Sequence, residues 1–204
     1  MIRILVPVFA ALVLTACSTG PKSLLPKNHL PLPLTRQSTP YTCGAAALQS
    51  ILRYYGEDIR EDVLSQELGS DPEEGTRFWR MMEAALRRGI GAEAFVDAKL
   101  SDLQAALDQG KPVVAAFQAW AEEPADYAKD WEDGHYAVAI GHDEKNLYFM
   151  DPSTLGNYAF IPKTEFVRRW HDEYDGGRVR VNGLMIVFSK PEKNYDPRQV
   201  PKLE

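Results

Sequence analysis

The stretch Gln37–Leu48, with the sequence QSTPYTCGAAAL, decides the fold because it predicts an extended turn that runs directly into a helix. Pro40 disfavours helical backbone at the residue before it, so the chain arrives in an extended conformation. Thr42 is a typical N-cap residue, and apolar residues then recur at helical spacing until Gly56. The sequence therefore predicts a helix that begins at Cys43.

This predicted position gives the thiol of Cys43 a chemical role. Free N–H groups and the helix dipole favour a thiolate in the first turn of a helix, and the thiolate is the nucleophilic form of cysteine. Gln37 lies six residues upstream, where its amide could act together with the Cys43 backbone N–H as an oxyanion hole. The alternative interpretation is a buried, inert thiol, which is more common for an arbitrary cysteine.

Two later stretches predict strands that carry polar residues at their ends. Residues 134–141, GHYAVAIG, carry His135 at the start of the predicted strand, and residues 147–151 end in Asp151. A three-residue connection at 143–145 would place His135 and Asp151 on one face, one diagonal step apart. A connection one residue longer would place them on opposite faces. A catalytic pair therefore requires a particular hairpin register.

The order of Gln37, Cys43, His135 and Asp151 resembles that of the papain-like cysteine peptidases. It is most similar to the bacteriocin-processing peptidases that cleave double-glycine leader peptides, peptidase family C-39, and to their stand-alone relatives. The resemblance covers roughly residues 35–190. It implies that Cys43 is the nucleophile, His135 the base, Asp151 the group that orients the histidine, and Gln37 an oxyanion donor. The implied reaction is peptide hydrolysis through a thioester, on a peptide or protein substrate.

The periodicity of the remaining chain predicts an α+β fold. Helical patterns dominate up to Gly110, and short apolar strands follow it. Such an order is typical of helices packed on an antiparallel sheet. The resemblance implies the same arrangement, with N-terminal helices packed on a C-terminal antiparallel sheet. We expect one domain over residues 35–190, followed by an irregular tail over 191–204.

The first residues predict export. Arg3 precedes an apolar run at 4–14, which is too short to span a membrane and typical of a signal peptide. The following LTAC, ending at Cys17, indicates a lipoprotein processing site. Residues 1–16 would then be removed and Cys17 would carry the lipid that attaches the protein to a membrane. An ordinary signal peptide with a chance cysteine is the alternative.

The predicted anchor has two consequences. The proline-rich residues 17–34 predict an extended tether, and Ser18 after the cysteine indicates sorting to the periplasmic side of the outer membrane if the source is Gram-negative. Cys17 and Cys43 are the only cysteines of the sequence, so lipid on the first leaves the second as a lone thiol. Exported chains usually pair their cysteines or lack them, which favours a chemical role for Cys43.

The charge of the chain narrows its partners. The formal net charge is -6, which argues against nucleic acid and against adsorption to anionic lipid. The acidic stretch 119–134 is interpreted as a solvated loop, or as a flap in which Trp120 and Trp131 bind substrate. Adjacent residues such as 171–173, HDE, do not converge on one ion, so we expect no metal and no cofactor.

A different class of function remains open, namely a papain-like module that binds a peptide or a partner protein at the membrane without cleaving it. The bacteriocin-processing relatives are usually joined to an ABC transporter, whereas predicted export places this chain on the other side of the membrane. The resemblance therefore carries over the fold and the chemistry, and not the double-glycine specificity.

Overall fold

The computed structural model describes residues 24–200 and residue 202. The helices are α1 (Cys43–Tyr54), α2 (Glu61–Leu68), α3 (Phe78–Leu86), α4 (Leu100–Asp108) and α5 (Lys163–Arg169). The strands are β1 (Gly91–Phe95), β2 (Val113–Gln118), β3 (Gly134–His142), β4 (Asn146–Met150), β5 (Ala159–Pro162), β6 (His171–Tyr174), β7 (Val179–Asn182) and β8 (Met185–Ser189). The first helix begins at Cys43, as its sequence predicts.

Six strands form one sheet in the order β1-β8-β2-β3-β4-β5, and every neighbouring pair is antiparallel. Strands β6 and β7 form a separate antiparallel hairpin. Helices α1, α2 and α3 pack against one another, and α1 and α4 pack against β3. The predicted α+β fold, with helices on an antiparallel sheet, is confirmed.

Helix α1 lies in the core because it is apolar almost all round. Its first turns carry the small residues Gly44–Ala47, all buried, so that the helix approaches β3 closely. On the sheet, the ring of Phe117 packs against Phe149 and against Phe166 of α5, with centroids 5.4 Å and 5.5 Å away. Strand β2 is buried along its whole length, which explains why it reads as a continuous apolar run.

The β3–β4 hairpin has the predicted register near His135, but it owes this register to a β-bulge that the sequence does not predict. Residues 143–145 connect the strands, as predicted, but the first pair is His142 with Leu147, so that four residues lie between the first paired positions. This pairing, continued without interruption along both strands, would place His135 and Asp151 on opposite faces. A β-bulge at Ile140 absorbs one residue, and beyond it Ala139 pairs with Phe149. The bulge thereby returns His135 and Asp151 to the same face of the sheet, as a catalytic pair requires.

The segment before α1 packs against this bulge. The backbone N–H of Leu30 donates to the carbonyl oxygen of Ile140 over 2.7 Å, and Leu30 and Leu32 are buried. A side chain at Gly141 would meet the backbone of His29, since its Cβ would lie 3.1 Å from that Cα. The folded part therefore begins near residue 29, several residues before the predicted boundary at residue 35. The last third of the predicted tether is part of the domain.

The predictions for residues 1–16 and for Cys17 lie outside the described residues. Over residues 191–200 the described chain forms neither helix nor strand. Within the ranges that the structure describes, no helix has both the length and the apolar character needed to cross a membrane.

Candidate active site

Cys43 is the first residue of α1, and its side chain is buried with the residue 6% exposed. Thr42 occupies the N-cap position, but its hydroxyl does not cap the helix. That hydroxyl instead accepts the backbone N–H of Thr39, over 3.2 Å. The predicted capping residue thus fixes the preceding turn, and the first-turn N–H groups around Cys43 receive no side-chain cap from it.

His135 is held between a carboxylate and the thiol. Its Nε2 lies 2.8 Å from Oδ1 of Asp151, the residue that directly follows β4. The side chain of Cys43 lies close enough to the imidazole to raise its pKa. The ring of Phe117 packs against the imidazole edge to face at 5.9 Å. The three predicted catalytic side chains therefore meet at one end of the sheet.

Asp151 is positioned by its own turn. Its carboxylate accepts the backbone N–H of Ser153 over 3.0 Å and the hydroxyl of Thr154 over 2.8 Å. Burial disfavours the ionised form, but these bonds and the one to His135 outweigh it and lower the pKa of Asp151. Three donors thus hold the carboxylate ionised and in one orientation.

The same contacts set the charge of His135. Burial alone would lower its pKa, but the hydrogen bonds to Asp151 and Cys43, and the negative charges of both partners, raise the pKa of His135 to about 9. Near neutral pH the site therefore favours an imidazolium between a carboxylate and the sulfur of Cys43.

Gln37 lies beside this group, but its amide is already engaged. Its Oε1 accepts the hydroxyl of Ser153 over 2.9 Å. Its Nε2 donates to the carbonyl oxygens of Thr39 over 2.9 Å and Pro40 over 3.3 Å. The amide is therefore fixed between the turn before α1 and the turn after β4. An N–H of Gln37 could reach an oxyanion only by leaving one of these two carbonyls.

A cleft of about 400 Å³ opens beside Cys43. Its walls come from the turn before α1, the loop 72–76, residues 131–136 and the β6–β7 hairpin. The two candidate substrate-binding tryptophans separate here. Trp131 lines the cleft, whereas Trp120 is 57% exposed and lines another pocket on the Asp151 side of the sheet. Only Trp131 shares a cavity with Cys43.

The β6–β7 hairpin contributes residues that the sequence prediction missed. Asp172 and Tyr174 of β6 line the cleft, and the hydroxyl of Tyr174 lies 2.7 Å from that of Tyr136 on β3. The signal was present: the DGG sequence at 175–177 separates two short runs of alternating residues, as in a hairpin. Among the described residues, no group of three or more His, Cys, Asp or Glu side chains could hold a metal ion.

Two glycines next to the catalytic residues are explained by close neighbours. A Cβ on Gly44 would lie 2.6 Å from the Cβ of Thr76, so a larger residue would push α1 away from the loop that walls the cleft. A Cβ on Gly134 would collide with the carboxylate of Asp172. The Cys-Gly and Gly-His dipeptides therefore bring the cleft walls close to Cys43 and His135.

Glu74 joins the two sides of the cleft. Its carboxylate oxygens accept the backbone N–H groups of Asp175 and Gly176, each over 2.9 Å. Those two residues form the tip of the β6–β7 hairpin and adopt positive φ angles of 59° and 61°. The loop before α3 and the hairpin tip are thus clasped together across the cleft.

The fold and the meeting of Cys43, His135 and Asp151 define a cysteine peptidase fold. It is similar to a double-glycine motif protease from an AMS/PCAT transporter, crystallised with its leader peptide: TM-score 0.58, 19% identity, 79% of this chain and 94% of the other. The peptidase domain of Streptococcus ComA also gives a TM-score of 0.58, at 20% identity over 76% and 96% of the two chains. A putative C39-like peptidase from Bacillus anthracis gives 0.58, at 18% identity over 80% and 96%.

Residues 29–175 match the model of the Peptidase_C39 like family, and the chain therefore belongs to that family. An uncharacterized protein of Methanothermobacter marburgensis is 28% identical over 59% of this chain and 71% of its own length. The pediocin PA-1 transport/processing ATP-binding protein PedD of Pediococcus acidilactici is 30% identical over 67% of this chain, but over 17% of its own length.

Proposed function

We propose that this protein is a cysteine peptidase, which hydrolyses peptide bonds in an exported peptide or protein through a thioester on Cys43. One observation carries the proposal. An imidazole that is hydrogen-bonded to a buried carboxylate also contacts a thiol that lines an open cleft. A purely structural cysteine would need neither the charged histidine nor access to a cavity.

The proposed reaction uses each group in turn. The Cys43 thiolate attacks the carbonyl carbon of the substrate, and the His135 imidazolium gives its proton to the departing amine. Water then attacks the thioester, with the neutral imidazole taking its proton, and the acid leaves with the thiolate restored. Asp151 keeps the ring oriented and stabilises its charged form in both steps. The Cys43 N–H and a Gln37 N–H would bind the oxyanion.

A second candidate function is binding of a peptide or partner protein at the membrane without cleavage. It is favoured by the amide of Gln37, whose nitrogen donates to two backbone carbonyls and is not free for an oxyanion. A site with this donor permanently withdrawn would bind a carbonyl group and polarise it weakly.

We expect Cys43 to react with iodoacetamide at pH 6 about tenfold or more faster than glutathione does, because the proposed nucleophile lies beside the His135 imidazolium and a neighbouring cation makes a cysteine more reactive. Intact-mass spectrometry of the Cys17→Ser protein, in which Cys43 is the remaining cysteine, measures this rate over time. The His135→Gln variant is the matched control and should lose most of the excess. Alkylation of the unmodified protein at the rate of glutathione would contradict the proposed nucleophile.

We further propose that Cys17 is lipidated, and that the lipid holds the domain on the periplasmic side of the outer membrane if the source is Gram-negative. The LTAC sequence after an apolar run supports it. Two or more acyl chains give stable attachment, since each buried CH₂ contributes about 0.8 kcal/mol. The net charge of -6 adds no attraction to anionic lipid.

Cys17→Ser is therefore expected to move the protein from the membrane fraction to the soluble fraction, while Cys43→Ser stays with the membrane. Cell fractionation followed by immunoblotting measures the distribution, and mass spectrometry of the mature N-terminus identifies the modification. An unmodified N-terminus at another position would refute the lipid anchor and leave the peptidase proposal intact.

A further inference from the structure

We infer that the cleft beside Cys43 selects substrates with a positively charged group next to the cleaved bond, and that Asp172 is the residue that determines this specificity. The inference rests on the proposed peptidase function, because the cleft is then where substrate lies. It concerns which peptides are accepted, which the catalytic groups alone do not decide.

The first observation is the position of Asp172. It lies in β6 and is 6% exposed, yet its side chain lines the same cleft as Cys43. Its Oδ1 accepts the backbone N–H of Glu173 over 2.9 Å and the amide of the buried Gln118 over 3.4 Å. These contacts aim the carboxylate at Gly134, the residue directly before His135. A carboxylate is therefore fixed within the cleft, next to the catalytic histidine.

The second observation is the sign of the surrounding charge. Among the residues that line the cleft, the ionisable acids are Glu73, Glu74, Glu132, Asp172 and Glu173, and none is lysine or arginine. Within the described chain, Glu173 pairs with Arg180 over 3.2 Å. Glu74 is occupied by the hairpin tip. Glu73, Glu132 and Asp172 make no ion pair in this part of the protein, and they leave the cleft negative above pH 7, where the Asp172 carboxyl with its raised pKa of about 7 is mostly ionised.

The third observation concerns the aromatic side chains that form the remaining wall of the cleft. The ring of Trp131 is held between His171, at 4.3 Å, and the guanidinium of Arg180, at 4.6 Å. Burial raises the pKa of Tyr136 and of Tyr174, so both hydroxyls stay neutral. The cation beside Trp131 is therefore Arg180 of the protein itself, and the preference of the cleft for a substrate cation rests on its carboxylates.

Burial of Asp172 also makes a cation favourable. Removal from water raises the pKa of this carboxyl to about 7. A buried carboxylate without a cation is unfavourable, and a lysine or arginine side chain of a substrate would offset that penalty. A cleft of about 400 Å³ is large enough to take such a side chain together with the neighbouring backbone.

The test compares two chloromethyl ketones, N-acetyl-lysine and N-acetyl-norleucine, which differ only in the terminal ammonium. In each case the Cys43 thiolate displaces chloride and forms a carbon–sulfur bond, which intact-mass spectrometry measures. On the otherwise full-length Cys17→Ser protein, at about pH 8 and low salt, we expect the lysine probe to react about tenfold or more faster. The Asp172→Asn variant should reduce this ratio to about two or less. Glu144→Gln, exposed at the other end of β3, should leave the ratio unchanged.

Iodoacetamide separates the possible failures, because this small neutral reagent reports the thiolate alone. Fast alkylation of Cys43 by iodoacetamide with equal rates for the two ketones would overturn the specificity and keep the peptidase. Slow alkylation would overturn the peptidase itself. If Asp172→Asn does not fold, the unmodified protein still decides: the lysine preference should fall severalfold between about 0.02 M and about 1 M salt. A salt-independent preference would exclude the negative cleft as its cause.

Discussion

Replacing Cys43 by serine is expected to lower peptide hydrolysis by this protein roughly 10⁴-fold or more. The serine hydroxyl keeps the size of the side chain but is not ionised by the imidazolium of His135, so that the nucleophile is lost. The measurement incubates a peptide library, or peptides collected from the cell exterior, with each form and follows new termini by mass spectrometry. Purified Cys17→Ser protein is the matched control, since it also loses one sulfur and should retain activity.

The same variant separates the two candidate functions. If the protein only binds, Cys43→Ser should capture the same peptides and preserve any cellular phenotype. If it cleaves, the variant should retain uncut substrates that the unmodified protein converts to products. New termini that appear equally with both forms would exclude Cys43 as the nucleophile.

Asp151→Asn is expected to give the second largest effect, a loss of roughly 10³–10⁴-fold in kcat. The amide cannot stabilise an imidazolium as the carboxylate does over 2.8 Å. Leaving-group protonation needs the imidazolium, so activity of the unmodified protein should fall as pH rises through about 9, the raised pKa of His135. In Asp151→Asn this alkaline limb should move to lower pH.

The stability of the fold should follow the same group. The folded-state pKa of His135 is above the ordinary value of 6.5, so its stabilising contribution is complete below about 6.5. It is lost as pH rises towards about 9, and Asp151→Asn should remove most of this dependence. Urea titrations across that range measure it. Thr154→Val, which deletes another hydrogen bond of Asp151, is the control. In this variant the loss of stability and of activity at alkaline pH should still occur near pH 9. If Asp151→Asn lost activity at the same alkaline pH as the unmodified protein, the positive charge assigned to His135 would be contradicted.

The helix at Cys43 could be predicted because local chemistry decides it. Pro40 fixes the entry, small residues follow the cysteine, and Gly56 ends the run with a φ of 93°. The meeting of His135 with Asp151 could be predicted only as a condition on register. The three-residue connection is as predicted, but the first pair lies one residue further along β4, and a bulge that the residue pattern does not show restores the register.

The substrate side of the site was harder to foresee because it is built from distant short segments. Asp172 and Tyr174 come from a hairpin of four-residue strands, too short for periodicity to be decisive. Trp120 and Trp131 share one acidic loop in sequence, yet the loop directs them into different cavities. Leu30 and Leu32 stand among prolines that indicate a tether, and only the tertiary fold shows the surface they cover.

The bulge at Ile140 couples insertions and deletions at two separate places in the chain. A homologue that lost one residue from the turn at 143–146 would keep His135 facing Asp151 only if it also lost the bulge. Likewise, a homologue that lost the bulge would keep this arrangement only if its turn also lost one residue. Because the backbone N–H of Leu30 donates to the carbonyl oxygen of Ile140, loss of the bulge would also require the segment before α1 to pack in a different position. Length variation in this hairpin should therefore occur in compensating pairs during evolution, or be eliminated by selection.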